Sequence, residues 1–329
     1  MLWIFCFSIL QSLVVIIFVL ISVAFFTLGE RKIMATIQGR RGPNDVGYLG
    51  LLQALADGLK LFCKEIIFPS GINKVLYALA PWLAFVLSAM GWAVIPFGEG
   101  VVISNMGLGV LYTLAISALS VYGILLAGWA SNSKYAFLGA VRSVAQVISY
   151  EVSVGFIVIS ICLCTGSLNL SQIVLAQNFV FYFIPLFPLF LIFLVSILAE
   201  TNRHPFDLAE AESELVSGFN VEYSGMPFAL FFLAEYSNML LMGAVTAVFF
   251  IGGWLSPLYI LSFFYLPDSL WIALKISLIA GLFCAVRAVL PRYRYDQLMS
   301  LGWKGFLPVV LGFLITVASL LISFNFLVE

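Results

Sequence analysis

Acidic side chains are concentrated between residues 200 and 223 of a chain that is otherwise strongly apolar. Charged residues make up only 9% of the 329 residues, yet six of the sixteen acidic ones fall in this segment. They are Glu200, Asp207, Glu210, Glu212, Glu214 and Glu222. Carboxylates exchange protons near neutrality when burial or a neighbouring like charge raises their pKa. The segment 200–225 is therefore predicted to be an acidic loop that carries function.

The spacing within this loop permits two interpretations. Asp207, Glu210 and Glu214 would form one stripe on a helix, and like charges in such a stripe destabilise it unless bases or protonation relieve them. Only Arg203 is close in sequence to supply a base. The first residues of the stripe also fit a capping box, which favours a short solvated helix over 207–217. A water-filled row of partly protonated carboxylates, as a proton relay at membrane depth requires, is the other interpretation.

The composition predicts the class of protein that must position these groups. Hydrophobic residues make up 63% of the chain, and apolar runs of about 20 residues match the thickness of a bilayer. We predict an all-α, polytopic integral membrane protein, a single membrane domain over residues 1–329, with eight transmembrane helices and short interfacial helices in its matrix-side or cytoplasmic-side loops. The N-terminal run is interpreted as a retained helix. The spans are placed at about 2–28, 76–97, 107–130, 142–165, 179–200, 226–252, 269–290 and 305–327.

The basic residues predict the orientation of these spans. Of the fifteen Lys and Arg residues, all but Lys275 lie in or beside the first, third, fifth and seventh connections. The positive-inside rule puts those connections on the matrix or cytoplasmic side, and an even number of spans puts both termini on the opposite side. Lys275 falls inside the seventh span and is expected to snorkel to the nearer, outer interface.

The first connection, residues 29–75, is predicted to be a long structured loop. Its part 39–47 is rich in turn-forming residues. In its part 51–65, apolar residues recur at helical spacing while Asp57 and two lysines occupy the remaining face. An amphipathic helix lying in the membrane interface is therefore expected there.

Two further carboxylates lie at membrane depth. Glu151 is in the fourth span and Glu235 in the sixth, where an ionised side chain costs roughly 2.5–3.5 kcal/mol on insertion scales. Such residues are candidates for a proton relay. The alternative for each is a neutral carboxyl hydrogen-bonded to a neighbouring helix.

Redox-metal and nucleotide chemistry is not indicated. The five cysteines have no Cys-x-x-Cys spacing, and the single histidine, His204, has no neighbouring metal-ligand partner. Neither a Walker A pattern nor a complete dinucleotide-binding motif occurs. We expect that this chain binds no metal and no redox cofactor.

Taken together, five stretches resemble the sequence of one family. The run Glu-Thr-Asn-Arg-x-Pro-Phe-Asp-Leu at 200–208, with the acidic residues that follow, resembles subunit 1 of the proton-pumping NADH:quinone oxidoreductase, respiratory complex I. The stretches 30–32, 41–44, 55–65 and 291–299 agree with it in the same order. The resemblance therefore extends over essentially the whole chain.

This resemblance implies a subunit that forms the access tunnel of ubiquinone and is not catalytic alone. Ubiquinone would be reduced by an iron–sulfur cluster in a partner, since FMN and the iron–sulfur clusters belong to other subunits of the family's complex. The implied partners are the peripheral-arm subunits at the quinone site and small neighbouring subunits of the membrane arm. The implied location is the mitochondrial inner membrane, with a bacterial plasma membrane as the alternative.

The resemblance also implies roles for individual residues. The positions that correspond to the quinone tunnel are Arg31, Asp57, Arg203, Phe206 and Arg287. The positions that correspond to the proton relay are Glu151, Glu200, Asp207, Glu210, Glu212, Glu214, Glu222 and Glu235. For Arg203 and Arg287 the alternative is a role in anchoring the chain at the membrane surface. His204 stands where relatives more often have a small or apolar residue, and our hypothesis is that it tunes the pKa of Asp207 or Glu210.

Two other functions remain open. One is the membrane anchor of an energy-converting hydrogenase, a relative without quinone, against which the stretches 41–44 and 291–299 count. The other is a self-contained transporter that couples ion movement to the carboxylates. Such transporters contain inverted halves with interrupted helices, and the sequence has no such symmetry.

Overall fold

The computed structural model describes residues 2–208, 216, 218–256 and 267–324, with side chains from residue 9 onward. Its helices are α1 (Leu2–Ile37), α2 (Gln53–Cys63), α3 (Lys74–Gly91), α4 (Gly109–Ala130), α5 (Lys134–Thr165), α6 (Leu170–Ala176), α7 (Phe187–Glu200), α8 (Met226–Phe250), α9 (Asp268–Val289), α10 (Tyr295–Ser300) and α11 (Leu307–Ser323). A π-helical turn, Leu301–Phe306, joins α10 to α11. The prediction of an all-α, polytopic membrane protein is confirmed.

In the part of the chain that is described, seven helices coincide with predicted spans and are long and apolar enough to cross a membrane. The fifth differs, because α7 has only 14 residues where a span over 179–200 was predicted. At about 1.5 Å per residue, 14 residues reach roughly 21 Å, which is short of the ~30 Å hydrocarbon core. Pro188 stands at the start of α7, and the preceding residues form turns in which the amide of Phe183 donates to the carbonyl of Phe250 (3.0 Å). A count of eight full spans is therefore not confirmed.

The first helix extends beyond the predicted end of its span. Helix α1 continues through Glu30, Arg31 and Lys32 to Ile37, so residues 29–37 are helical where the loop was predicted to begin. Glu30, which lies in this extension, is buried and forms an ion pair with Arg287. Further along, α2 occupies the region where an amphipathic helix was expected, and the apolar side chains of Leu55 and Leu59 are exposed on it.

Small residues bring the central helices close together. A Cβ added at Gly123 in α4 would lie 2.9 Å from the Cβ of Ala84 in α3. A Cβ added at Gly128 would lie 2.8 Å from the carbonyl oxygen of Ala136 in α5. Close approach through small residues is how membrane helices gain packing energy when lipid is as apolar as their side chains. These contacts hold α3, α4 and α5 together beside the acidic loop.

Lys275 reaches toward the sixth connection, and its side chain is enclosed by protein. Its side chain is buried in α9, and its Nζ donates to the carbonyl oxygens of Ile251, Gly253 and Leu255. Hydropathy indicates the depth of a residue in the membrane. It does not show which backbone carbonyl groups are directed at that residue in the fold. The turn that follows α8 supplies them here.

Candidate functional site

Glu30 lies at the centre of a buried cluster of charged side chains. Its carboxylate forms an ion pair with Arg287 of α9 and accepts a 2.6 Å hydrogen bond from the hydroxyl of Tyr236 in α8. Arg203, from the loop after α7, places Nη1 3.7 Å from Glu30 Oε1 and Nε 3.0 Å from Glu235 Oε1. The cluster is defined as Glu30, Arg203, Glu235 and Arg287. It brings together two acids and two bases from four parts of the chain.

Arg203 is the most enclosed base of this cluster. Its side chain is 8% exposed, and its guanidinium lies 4.4 Å from the centre of the Tyr236 ring. Burial on its own would lower the pKa of Arg203, but the pKa is raised because Glu235, Tyr236 and Glu30 stabilise the charged form. Arg203 therefore stays charged and bridges the two carboxylates.

The end of α7 directs Arg203 inward. After Glu200 the chain leaves the helix, Asn202 adopts a left-handed conformation (φ 51°), and the amide of Arg203 donates back to the carbonyl of Leu198. A fully buried side chain in α5, Gln146, fixes both ends of this segment. Its Nε2 donates to the carbonyl of Ala199 and to that of Phe206, at 2.7 Å each.

Phe206 lies in an aromatic group next to the cluster. Its ring is stacked on Tyr293, with centroids 5.4 Å apart, and lies 6.0 Å from the ring of Tyr150. The amide of Tyr293 also donates to the carbonyl of Pro205. The acidic loop is thereby joined to the segment between α9 and α10.

Arg31 and Asp57 form a separate pair. Arg31 Nη1 lies 2.8 Å from Asp57 Oδ2 and links α1 to α2, and Gln53 donates a second hydrogen bond to Asp57. The two side chains are 51% and 36% exposed. Such an exposed pair contributes about 0–1 kcal/mol, so its geometry matters more than its energy.

Another ion pair holds the acidic loop at Asp207. Arg292 Nη2 lies 3.0 Å from Asp207 Oδ2. The neighbouring imidazole of His204 is half-buried, and burial together with the charge of Arg292 lowers the pKa of His204 despite the opposing effect of Asp207. His204 is therefore neutral at pH 7.

His204 should make the protein sensitive to acid. Its folded pKa is below the unfolded value of about 6.5, so the unfolded state binds more protons and the folded state loses stability as pH falls from 6.5 through the lowered pKa. When the pH is lowered from 7.5 to 5.5, we expect the thermal inactivation midpoint to fall less in the His204→Gln protein than in the unaltered protein. Thermal inactivation midpoints of the intact complex at both pH values measure this. Equal losses in the two proteins would show that His204 is not a sensor of acid.

Two internal cavities share Glu200 in their walls. One, of about 40 Å³, is also lined by Ser117, Thr201 and Asn238, and Ser117 Oγ donates to Glu151 Oε1 at 3.3 Å. The other, of about 70 Å³, is lined by Glu200, Glu235, Thr201 and Asn238. A water molecule needs roughly 10–15 Å³ of such space and two to four polar partners, so both cavities have room and partners for water.

Four predicted residues remain: Glu222, Glu210, Glu212 and Glu214. The backbone of Glu222 is bonded to Tyr77 in α3: its carbonyl accepts a 2.6 Å hydrogen bond from the Tyr77 hydroxyl. The positions of Glu210, Glu212 and Glu214 lie outside the described residues. Within the described residues, His, Cys, Asp and Glu side chains form no group of three or more that could hold a metal ion.

Residues that pair with the cluster or hold the acidic loop, and that were not predicted, include Glu30, Gln146, Tyr236 and Arg292. A signal existed for Glu30, because it precedes Arg31 in a stretch that carries the family resemblance and a carboxylate at the end of an apolar run needs a partner. For Gln146 and Tyr236 the sequence carries no such signal, because their roles come from contacts with distant segments.

Comparison with known proteins gives one consistent family. The family model described as NADH dehydrogenase matches residues 10–318. The NADH-ubiquinone oxidoreductase chain 1 of Chondrus crispus is 56% identical over 324 residues, which cover 98% of this chain and 99% of the relative. An NADH-quinone oxidoreductase subunit of Rhodospirillum rubrum is 57% identical over 327 residues, covering 99% and 97%. Since both matches run along nearly the whole chain, it belongs to the family of subunit 1 of respiratory complex I.

Proposed function

We propose that this chain forms the access route of ubiquinone and couples quinone reduction to proton translocation through its carboxylates. The chain is a multi-pass inner-membrane subunit of NADH:quinone oxidoreductase, and its partners are other subunits of that complex. The proposal adds that FMN and the iron–sulfur clusters lie in those partners, and that the nearest ones are the peripheral-arm subunits at the quinone site and small membrane-arm subunits. Both termini are proposed to lie on the side opposite the matrix.

One observation carries the proposal: charged groups and cavities form a continuous series. Arg287 pairs with Glu30, Glu30 lies beside Arg203, and Arg203 pairs with Glu235. Glu235 lines the larger cavity, which reaches Glu200. The smaller cavity continues from Glu200 to Ser117, whose hydroxyl donates to Glu151.

The series is accessible at Arg287. Arg287 is 34% exposed, whereas Glu30 is 2% exposed, so Arg287 is the member that a polar quinone ring could reach. A guanidinium stabilises negative charge that develops on a ring without itself titrating. We propose that Arg31, Asp57 and Phe206 line the route to this position.

Charge at Arg287 would be felt along the series. Two unit charges 4 Å apart interact by about 4 kcal/mol at an effective dielectric constant of 20, so a change at one member alters the protonation of the next. If Arg287 moved toward a reduced ring, Glu30 would lose that base and would compete with Glu235 for Arg203. Arg203 would then compensate the negative charge of Glu235 less, which favours proton uptake by Glu235 from the larger cavity beside it. Asp207, Glu222 and the three residues Glu210, Glu212 and Glu214 are proposed to extend the relay.

Arg287→Ala tests the quinone end of this proposal. We expect the apparent KM for a short-chain ubiquinone to rise about tenfold or more, because a charged hydrogen bond contributes roughly 1.5–3 kcal/mol. Steady-state NADH:ubiquinone kinetics in membranes give the KM, and NADH oxidation by ferricyanide confirms that the rest of the complex is intact. An unchanged KM together with an unchanged affinity for a quinone-site inhibitor would contradict the role of Arg287.

A further inference from the structure

Lys275 is a buried charged side chain that the proposed function does not use. It lies in α9, is 7% exposed, and donates to three carbonyl oxygens: Ile251 at 2.7 Å, Gly253 at 2.8 Å and Leu255 at 2.6 Å. An ammonium group has three donors, and all three are used. Among the residues that the structure describes, none supplies Lys275 with a carboxylate as an ion-pair partner.

The turn 251–255 is built to direct alternate carbonyls to one point. Gly252 and Gly253 both have left-handed backbone conformations (φ 72° and 45°), and the amide of Gly253 donates to the carbonyl of Ala247 in α8. A Cβ at Gly252 would lie 2.5 Å from the ring of Phe181, and one at Gly253 would lie 2.7 Å from Val174. Both positions therefore require glycine.

Neighbouring side chains hold this turn in place. The Oε1 of Gln177, which is fully buried, accepts from the amide of Gly252 at 3.0 Å, and its Nε2 donates to the carbonyl of Val248 at 2.8 Å. The ring of Phe181 has its centre 5.3 Å from Lys275 Nζ, within the range of a cation–π contact. Three converging carbonyls and an aromatic face form a coordination shell for a cation that carries N–H donors.

We propose that the turn 251–255 is a cation cage occupied by the tethered ammonium of Lys275, and that this occupancy fixes the position of α9 along α8. Lys275 and Arg287 are twelve residues apart on α9, a distance of about 18 Å at 1.5 Å per residue. Glu235 and Tyr236 lie on α8. Tyr236 donates its hydroxyl to Glu30, so the position of α9 along α8 sets the position of Arg287 relative to Glu30. By stopping α9 from sliding, Lys275 acts as a positioning residue.

The cage predicts chemical rescue by a free amine. Lys275→Ala removes three methylenes and the ammonium group, which are the atoms that propylammonium supplies. In the intact complex we expect this variant to have a lower thermal inactivation midpoint and at least a threefold higher apparent KM for ubiquinone. Propylammonium chloride should restore both values, whereas tetramethylammonium chloride at equal ionic strength should restore neither, because it has no N–H donor.

Two results would overturn the proposal. One is a Lys275→Ala complex with unaltered midpoint and KM, and the other is equal recovery with both ammonium salts. If this variant does not accumulate as assembled complex, Lys275→Arg and Lys275→Met decide. Accumulation of Lys275→Arg but not of Lys275→Met supports a cage that needs a cation, whereas failure of Lys275→Arg, or accumulation of Lys275→Met, contradicts it.

The test of the cage and the tests of the proposed quinone and proton roles can fail independently of one another. The midpoint reports the cage even if Arg287 never contacts quinone, and Arg287→Ala tests that contact even if the cage is absent.

Discussion

Arg203→Met is expected to lower NADH:ubiquinone reductase activity at least about 100-fold. Removing one partner of a buried ion pair leaves an uncompensated charge at a stability cost of roughly 3–5 kcal/mol. Loss of a pre-organised electrostatic group typically lowers a reaction rate by about 100- to 1,000-fold. Here the loss affects two carboxylates, Glu30 and Glu235, which both lie within 4 Å of the Arg203 guanidinium. Activity per assembled complex and the amount of complex on native gels are the measurements.

A compensating substitution separates charge balance from function. Arg203→Met with Glu235→Gln keeps equal numbers of acids and bases in the cluster, so we expect the amount of assembled complex to recover while quinone reduction stays low. Arg40→Met serves as the matched control, because Arg40 is exposed and its Nε binds Gln38. Normal quinone reduction by the Arg203→Met complex would show that the cluster is not needed.

Glu200→Gln should have the second largest effect. Glu200 lines both internal cavities, so replacing it by an amide that cannot release a proton interrupts the series between Glu235 and Glu151. We expect quinone reduction and proton translocation to fall at least about tenfold, a smaller loss than the ~100-fold or more typical of a side chain that exchanges a proton with the reacting group itself. Assembly and the reduction of ferricyanide by NADH should be normal, since glutamine has nearly the same size and shape.

Glu99→Gln is the control for this experiment. Glu99 is an exposed carboxylate in the segment between α3 and α4, away from both cavities. Its replacement should leave quinone reduction and the pH change in proteoliposomes unaltered. If Glu200→Gln and Glu99→Gln pumped protons equally well, the cavities would not form part of the relay.

Sequence alone was sufficient for the class of fold. Apolar runs and the asymmetry of basic residues locate seven of the spans, because lipid imposes a length and a composition on each helix. The shortening of α7 depends on how the turns before Pro188 pack on the end of α8, which hydropathy does not report. The partner of Glu30 in the extension of α1 is Arg287, which is far away in the sequence, so hydropathy does not reveal it.

The candidate site was only partly predictable. Glu235 could be named because a carboxylate at membrane depth is costly, and Arg203 and Arg287 because the family resemblance implied them. That Glu30 pairs with both arginines emerges only from the packing of α1 against α8 and α9. The like-charge stripe of the acidic loop drew attention to Glu210 and Glu214, which lie outside the described residues. Asp207 pairs with Arg292, which lies in the connection between α9 and α10. Glu235 pairs with Arg203, which lies in the acidic loop itself.

The pairing of Glu30 with Arg287 also has a consequence for biosynthesis. The two residues are separated by 257 positions, so at about 5–20 residues per second the ribosome adds Arg287 roughly 10 to 50 s after Glu30. During that interval the carboxylate at the end of the first helix has no partner from α9. A chain that stops before α9 would therefore leave Arg203 as the base that Glu30 and Glu235 share, with one acid in excess in the cluster.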